Sequence, residues 1–169
     1  MVSKLFSLLF LVILLTACEP GMPAENQASS GGDDLIIQEA EAVLTDFYQL
    51  LNQGAYEEAV EHYGGSYEEL EYFNPMLDPD EKSALLAAAC EFNGFSCLPV
   101  LKADLNEPVD LPILLFEVAY ANPDGSRFVL GPCCGATEEE MPPVDVFTVQ
   151  VSCEDGSSCK VMDLPPYVP

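Results

Sequence analysis

Apolar residues recur at two different spacings along this chain, and the change between them divides it. From Leu35 to Gln53, Ile36, Ala40, Val43, Leu44, Phe47 and Leu51 fall at steps of three and four. That spacing lines one face of a helix. Asp33 or Asp34 would cap its start, and Gly54 would end it. A second, shorter helix is predicted over Tyr56 to Tyr63, with Tyr56, Ala59, Val60 and Tyr63 on one side and Gly64-Gly65 as its stop. Ser66 to Phe73 reads as a third. Asp78-Pro79-Asp80-Glu81 then carries a start signal: Asp78 as cap, Pro79 at the first helical position, and Glu81 closing a capping box. The fourth helix would run through Leu85, Leu86 and Ala89 to about Cys90.

From Leu98 the period becomes two. Leu98 to Leu105 is a predicted strand, and Ile113 to Ala121 a stronger one. On the latter, Leu114, Phe116, Val118 and Tyr120 share one face, and Ile113, Leu115, Glu117 and Ala119 the other. Asn122-Pro123-Asp124-Gly125 is a turn. Arg127 to Leu130 would start another strand, and Gly131 to Pro143 would be a loop. Val144 to Cys153 alternates again, with Phe147, Val149 and Val151 together, and Lys160 to Leu164 closes the sheet. Helices first and an antiparallel meander afterwards make an α+β fold. The helix pair around Gly54 to Ala59 could pass for one tetratricopeptide unit. No second copy follows at that period, so a repeat array is rejected.

The N-terminus is a separate matter. Lys4 precedes an apolar run of 11 residues, Leu5 to Leu15, broken only by Ser7. A membrane-spanning helix needs about 20 apolar residues, so this length suits a signal peptide. Leu15-Thr16-Ala17-Cys18 follows, and resembles the lipobox of bacterial lipoproteins. The resemblance implies diacylglycerol on the Cys18 thiol, cleavage before it, and an extracytoplasmic protein held on the cell-envelope membrane by lipid. Two or more acyl chains, at about 0.8 kcal/mol per buried methylene, make such an anchor lasting. Residues 1–17 are then the signal peptide. Residues 18–34 are the lipidated cysteine and a Gly-, Ser- and Pro-rich tether, expected to be disordered, with a reach of about 20 Å. Residues 35–169 form one domain, of a size that buries about two-thirds of its unfolded surface.

Charge narrows the partners. The chain has 29 acidic and 5 basic residues, a formal charge of -24. Nucleic acid is excluded, because no basic patch exists to neutralise phosphates. The acidity should also repel anionic headgroups, which leaves the lipid on Cys18 as the membrane contact. No stretch follows a calcium-binding EF-hand loop, and Glu138-Glu139-Glu140 is a single short run, so the acidity reads as a solvated surface. No sequence feature calls for a cofactor.

Six cysteines remain after Cys18: Cys90, Cys97, Cys133, Cys134, Cys153 and Cys159. An even number in an exported chain argues for disulfides. Cys153 and Cys159 bracket an Asp-Gly turn and would staple neighbouring strands. Cys90 and Cys97 bracket a reversal at Gly94, and local pairing is favoured. A cluster in which Cys133 and Cys134 pair with Cys90 and Cys97 stays open. Bridging adjacent cysteines to each other needs a strained ring. Zinc and thioredoxin-like sites favour a Cys-x-x-Cys spacing, which does not occur. Cys133-Cys134 as thiolates would suit Cu(I).

The order of long helix, short helix, third helix and curved sheet resembles the NTF2-like, or cystatin-like, cone. Ala42-Val43-Leu44-Thr45-Asp46-Phe47-Tyr48, followed by Gly54-Ala55-Tyr56-Glu57-Glu58-Ala59, is similar to the start of many such domains. The chain also resembles uncharacterised bacterial lipoproteins that carry Gly-Pro-Cys-Cys-Gly, here Gly131 to Gly135, and Val-Met-Asp-Leu-Pro, here Val161 to Pro165. Cones of this kind often enclose a pocket. Some are isomerases or dehydratases, and others are binding modules. The resemblance implies that Asp46, Tyr48, Tyr63 and Tyr120 line the pocket, with His62 and Asp145 as further titratable candidates. His62 sits among Glu58 and Glu61 and reads as a surface histidine. No Gly-x-Ser-x-Gly, His-Glu-x-x-His or phosphate-cradling loop is present. The expectation is a non-catalytic module that binds a small ligand or a protein. A pocket isomerase or dehydratase is the alternative, and a cysteine-based metal or redox protein the second.

Overall fold

The structure is a computed structural model that describes residues 30–106, 109, 111–154 and 158–168. The predicted signal peptide, Cys18 and most of the tether lie outside the described residues, as does the Asp155-Gly156 turn. Four helices precede four strands: α1 (Ser30–Gln53), α2 (Tyr56–Val60), α3 (Glu68–Phe73), α4 (Lys82–Glu91), β1 (Val100–Leu105), β2 (Ile113–Tyr120), β3 (Phe147–Glu154) and β4 (Ser158–Val161). The strands form one antiparallel sheet in the order β1-β2-β3-β4, curled into a half-barrel. The fold is α+β.

The first helix begins five residues before the predicted start, so Ser30 to Asp34 belong to α1 and not to a disordered tether. Asp33 lies in its first turn, where a carboxylate meets the positive end of the helix dipole. At the other end Gly54 takes φ +73°. Its N–H donates to Leu51 O (3.1 Å), and the Ala55 N–H donates to Leu50 O (2.9 Å). This is a Schellman cap, and it needs a glycine.

The capping box predicted at Asp78 does not form. Asp78 Oδ1 takes the Asp80 N–H (3.0 Å), and Asp78 O takes the Glu81 N–H (3.0 Å). Asp78 to Glu81 thus close on themselves as a turn, and α4 starts only after Glu81. A short polar side chain that bonds its own backbone competes with the helix for the same donors.

α2 also stops early, at Val60. The reason lies in β4. The Gly64 N–H donates to Val161 O, and the Val161 N–H donates to His62 O, both at 2.9 Å. Tyr63 and Val161 thereby form a parallel bridge along the outer edge of β4. A β-carbon on Gly65 would run into the Met162 carbonyl and the Tyr63 ring. Gly64-Gly65 therefore does more than stop a helix, because it lets two backbones touch.

The strand predicted over Arg127 to Leu130 is replaced by isolated bridges, Ala121 with Arg127 and Leu130 with Val144. Pro132, Pro142 and Pro143 flank the second of these and supply no ladder donors. β3 accordingly begins at Phe147, three residues after the predicted start. The turn at Asn122 forms as predicted, with the Gly125 N–H on Asn122 O (2.8 Å) and Gly125 at φ +81°.

The core lies between the helices and one face of the sheet. Leu114, Phe116, Val118 and Tyr120 of β2 are buried, as are Val149, Val151 and Cys153 of β3 and Val161 of β4. Against them lie Ala40, Leu44, Phe47, Tyr48 and Leu51 of α1. α2, α3 and α4 add Ala59, Leu70, Leu85, Leu86 and Ala89. Each fully buried aliphatic or aromatic side chain contributes roughly 1.5–3 kcal/mol relative to exposure.

Two disulfides are formed. Cys90 joins Cys97 across a Cα separation of 5.4 Å, and Cys153 joins Cys159, its register partner, across 4.0 Å. Both pairings match the local pairings favoured from sequence.

Candidate functional site

Three of the four expected pocket residues converge. Tyr48 comes from α1, Tyr63 from the turn after α2, and Tyr120 from the end of β2. The Tyr48 and Tyr120 rings meet edge to face at 5.0 Å, and Phe47 lies between Tyr48 (5.2 Å) and Tyr63 (5.5 Å). The rings pack against one another and against the aliphatic core. They pack in the space between α1 and the sheet.

Their hydroxyls are held by backbone or by nothing. The Tyr63 hydroxyl donates to Ser66 O (3.0 Å), and the Tyr48 hydroxyl donates to Asp163 O (3.5 Å). The Tyr120 and Tyr67 hydroxyls have no partner among the described residues. Burial pushes the Tyr48, Tyr63 and Tyr120 phenols well above their ordinary range, and Tyr67 up to about 12. A phenol so raised stays neutral and does no base chemistry near neutral pH.

The fourth expected residue, Asp46, is not with them. It lies on the outer face of α1, in a shallow groove of about 330 Å³ with Gln38, Glu41, Ala42 and Thr45. Two residues before Tyr48 means about 200° around a helix, so the two cannot share a face. Asp145 is also outside, paired with Arg127 (2.7 Å) on the surface. His62 enters the fold through its backbone, which bonds Ala59 O and Val161 N–H. Among the described residues no polar or charged side chain is buried. The carboxylate nearest the tyrosines, Asp163, is exposed and caps the Gln150 N–H (2.6 Å). Beside it an open cleft of about 290 Å³ is lined by Tyr63, Ser66, Glu68, Glu69 and Met162 to Leu164.

Two other features lie apart from the expected pocket. The first is an aromatic corner. Residues 94–96 and 166–168 pair as short antiparallel segments: the Ser96 N–H donates to Pro166 O, and the Val168 N–H donates to Gly94 O, both at 2.8 Å. Gly94 is at φ +83°, and a β-carbon there would strike Val168 O at 2.6 Å. The pairing stacks Phe73 on Tyr167 (5.9 Å), with Phe95 beneath both and Tyr72 beside Phe73. Asn74 Nδ2–H bonds Asn93 Oδ1 (2.8 Å) and ties the ends of α3 and α4 together. Close to this seam in sequence, Tyr72, Met76 and Phe92 are 82%, 94% and 80% exposed. Scattered exposed apolar residues are ordinary, whereas a grouped set marks a contact surface. Phe92 and Phe95 between Cys90 and Cys97, with Tyr72-Phe73 upstream, were the available signal.

The second is the Cys133-Cys134 loop. Neither cysteine reaches Cys90 or Cys97, whose sulfurs are used by each other, so the four-cysteine cluster does not form. The adjacent pair stands unbonded, Sγ to Sγ 2.9 Å. Cys134 at φ +59° and Gly135 at φ +88° make a tight turn, closed by the Ala136 N–H on Cys133 O (2.9 Å). Sharing a hydrogen bond with Cys134 raises the Cys133 thiol pKa. Next comes a helix-like turn. Glu140 takes the Thr137 N–H (2.9 Å) and Oγ1–H (3.0 Å), and the Met141 N–H donates to Thr137 O (2.9 Å). It brings Met141 back to Cys133, whose N–H donates to Sδ at 3.4 Å. Thr137-x-x-Glu140 is a capping-box pattern, and read as such it would have pointed to Met141. No protein-family model, no curated protein and no solved structure matches this chain.

Proposed function

We propose that this chain is a lipoprotein anchored through Cys18 on the extracytoplasmic side of a bacterial membrane. Its NTF2-like domain docks a protein partner and carries out no chemistry of its own. The aromatic corner carries this reading. Tyr72, Phe73 and Tyr167 gather apolar surface at one place on a strongly acidic chain, and exposed Met76 and Phe92 lie within three residues of Phe73 and Phe95 in sequence. The helices that present it bear Glu68, Glu69, Glu71 and Glu91, so the surface suits a partner with an apolar centre and a basic rim. The α+β order and curled sheet are compatible with the cone resemblance. The tyrosine-filled interior favours docking at the surface over an isomerase or dehydratase pocket, which would need a polar group held inside.

The test is site-specific photocrosslinking in the native membrane, with the probe at Tyr72 or, as control, at Thr45 on the outer face of α1. One discrete adduct is expected from position 72 only. It should weaken as salt rises and disappear in Phe92→Ser. Equal adducts from both positions, or none, would sink the docking reading. Release of a Cys18→Ser chain from the membrane fraction tests the anchor separately.

A further inference from the structure

A different part of the molecule carries a second site, with soft-metal chemistry. We infer that Cys133 Sγ, Cys134 Sγ and Met141 Sδ form a three-sulfur binding site for Cu(I). The two thiols lie 2.9 Å apart, and the Met141 thioether is turned onto the same short segment by the Cys133 N–H. All three come from residues 133–141, and no strand or helix has to move to present them.

The choice of ion follows from the ligand set. Thiolate and thioether sulfurs select Cu(I), whereas zinc takes four nitrogen, oxygen or thiolate ligands. Among the described residues no group of three His, Cys, Asp or Glu could hold a metal. Glu140, in the same segment, accepts from the Thr137 N–H and hydroxyl. A hard or borderline ion would therefore find too few ligands, and a soft one finds three.

The geometry also explains why this pair stays available. Disulfide bonds are about 2.0 Å long, and bonding neighbours closes a strained ring. The other four cysteines, spaced six and seven residues apart, are bonded. Three metal–sulfur bonds of about 2.3 Å in a plane set the sulfurs about 4 Å apart, so the thiols must part by about 1 Å. Cys134 is exposed and Cys133 half-buried, in a loop where side-chain rotation achieves that. On binding, two S–H bonds break, two Cu–S(thiolate) bonds and one Cu–S(thioether) bond form, and two protons go to solvent. No electron is transferred.

The experiment uses the full chain without oxygen, after the Cys133 and Cys134 thiols have been titrated as free. Cu(I) is supplied in a buffer of a competing chromogenic Cu(I) chelator. One Cu(I) per chain and two protons released are expected. Cys134→Ser should lose at least 100-fold in affinity, and Met141→Leu about tenfold, with unfolding midpoints unchanged because the loop is exposed. Zn(II) should not compete. Failure to take up one Cu(I), or equal uptake by the Cys134→Ser chain, would overturn the site. So would a native Met141→Leu chain that binds like the parent, since the thioether would then be no ligand.

Discussion

Two long irregular parts of this molecule look alike in composition and behave differently. One is the pair of segments 92–99 and 162–168, and the other is the connection 121–146 between β2 and β3. Both are proline-rich and contain glycine and cysteine. The first is held by a disulfide, by backbone pairing of Phe95 with Tyr167, and by a buried Phe95 ring. The second is held by two isolated bridges and a surface ion pair, and Phe128 stacked on Phe147 is its main hold on the core. Cysteines at a bridging distance and an aromatic with a buried seat turn loop sequence into core. Adjacent cysteines and exposed glutamates leave it as loop.

This contrast can be broken most sharply at Phe95. Phe95→Ala removes the ring that seats the first region, and should lower unfolding stability by about 3–4 kcal/mol. A urea midpoint close to that of the parent would mean the corner is not part of the core. Replacing Cys90 and Cys97 together by serine should cost about 2.5 kcal/mol, from the lost constraint on the unfolded chain. Calorimetry of the double variant measures it, and an unchanged Tm would refute it.

Alkali should act on the core and spare the connection. Tyr48, Tyr63, Tyr67 and Tyr120 have phenols raised above the unfolded value of about 10, Tyr67 to about 12. Above pH 10 the unfolded chain binds fewer protons than the native one, so stability falls as pH rises. It is fully present below pH 10. Phenolate absorbance of these rings should appear together with unfolding, and their ionisation near pH 10 in an intact fold would contradict the burial. The smallest effect belongs to the connection. Arg127→Ala breaks the exposed pair with Asp145 and should change stability by less than about 0.5 kcal/mol. A loss of 2 kcal/mol would erase the difference between the two regions.

The same contrast tracks what was legible from sequence. Periodicity located α1 and the buried face of β2, because each has one face in water and one in the core. It missed the start of α4, where Asp78 bonds its own turn. It also placed a strand at Arg127, where the local alternation has no neighbour long enough to pair with. Tyr48, Tyr63 and Tyr120 come together because each faces the core, from α1, from the turn after α2 and from the end of β2. That they fill the interior could not be read, because a ring that packs and a ring that lines a pocket have the same period. Asp46, expected in the pocket from the resemblance, lies on the outer face of α1, because two residues along a helix turn a side chain to the opposite side. Met141 and Tyr167 were invisible to periodicity, as both depend on turns outside any helix or strand.

The seating of β4 and residues 162–168 against the helices has a consequence for how the protein is made. Tyr48 meets Asp163 across 115 positions of chain, and Tyr63 meets Val161 across nearly as many. Contacts so distant are slow to form, because loop-closure entropy precedes their reward. While the chain is being synthesised, the apolar face of α1 has no sheet to cover it. Folding has to wait until β4 and residues 162–168 have been made, and until then the nascent helices are clients for whatever cellular machinery shields bare hydrophobic surface.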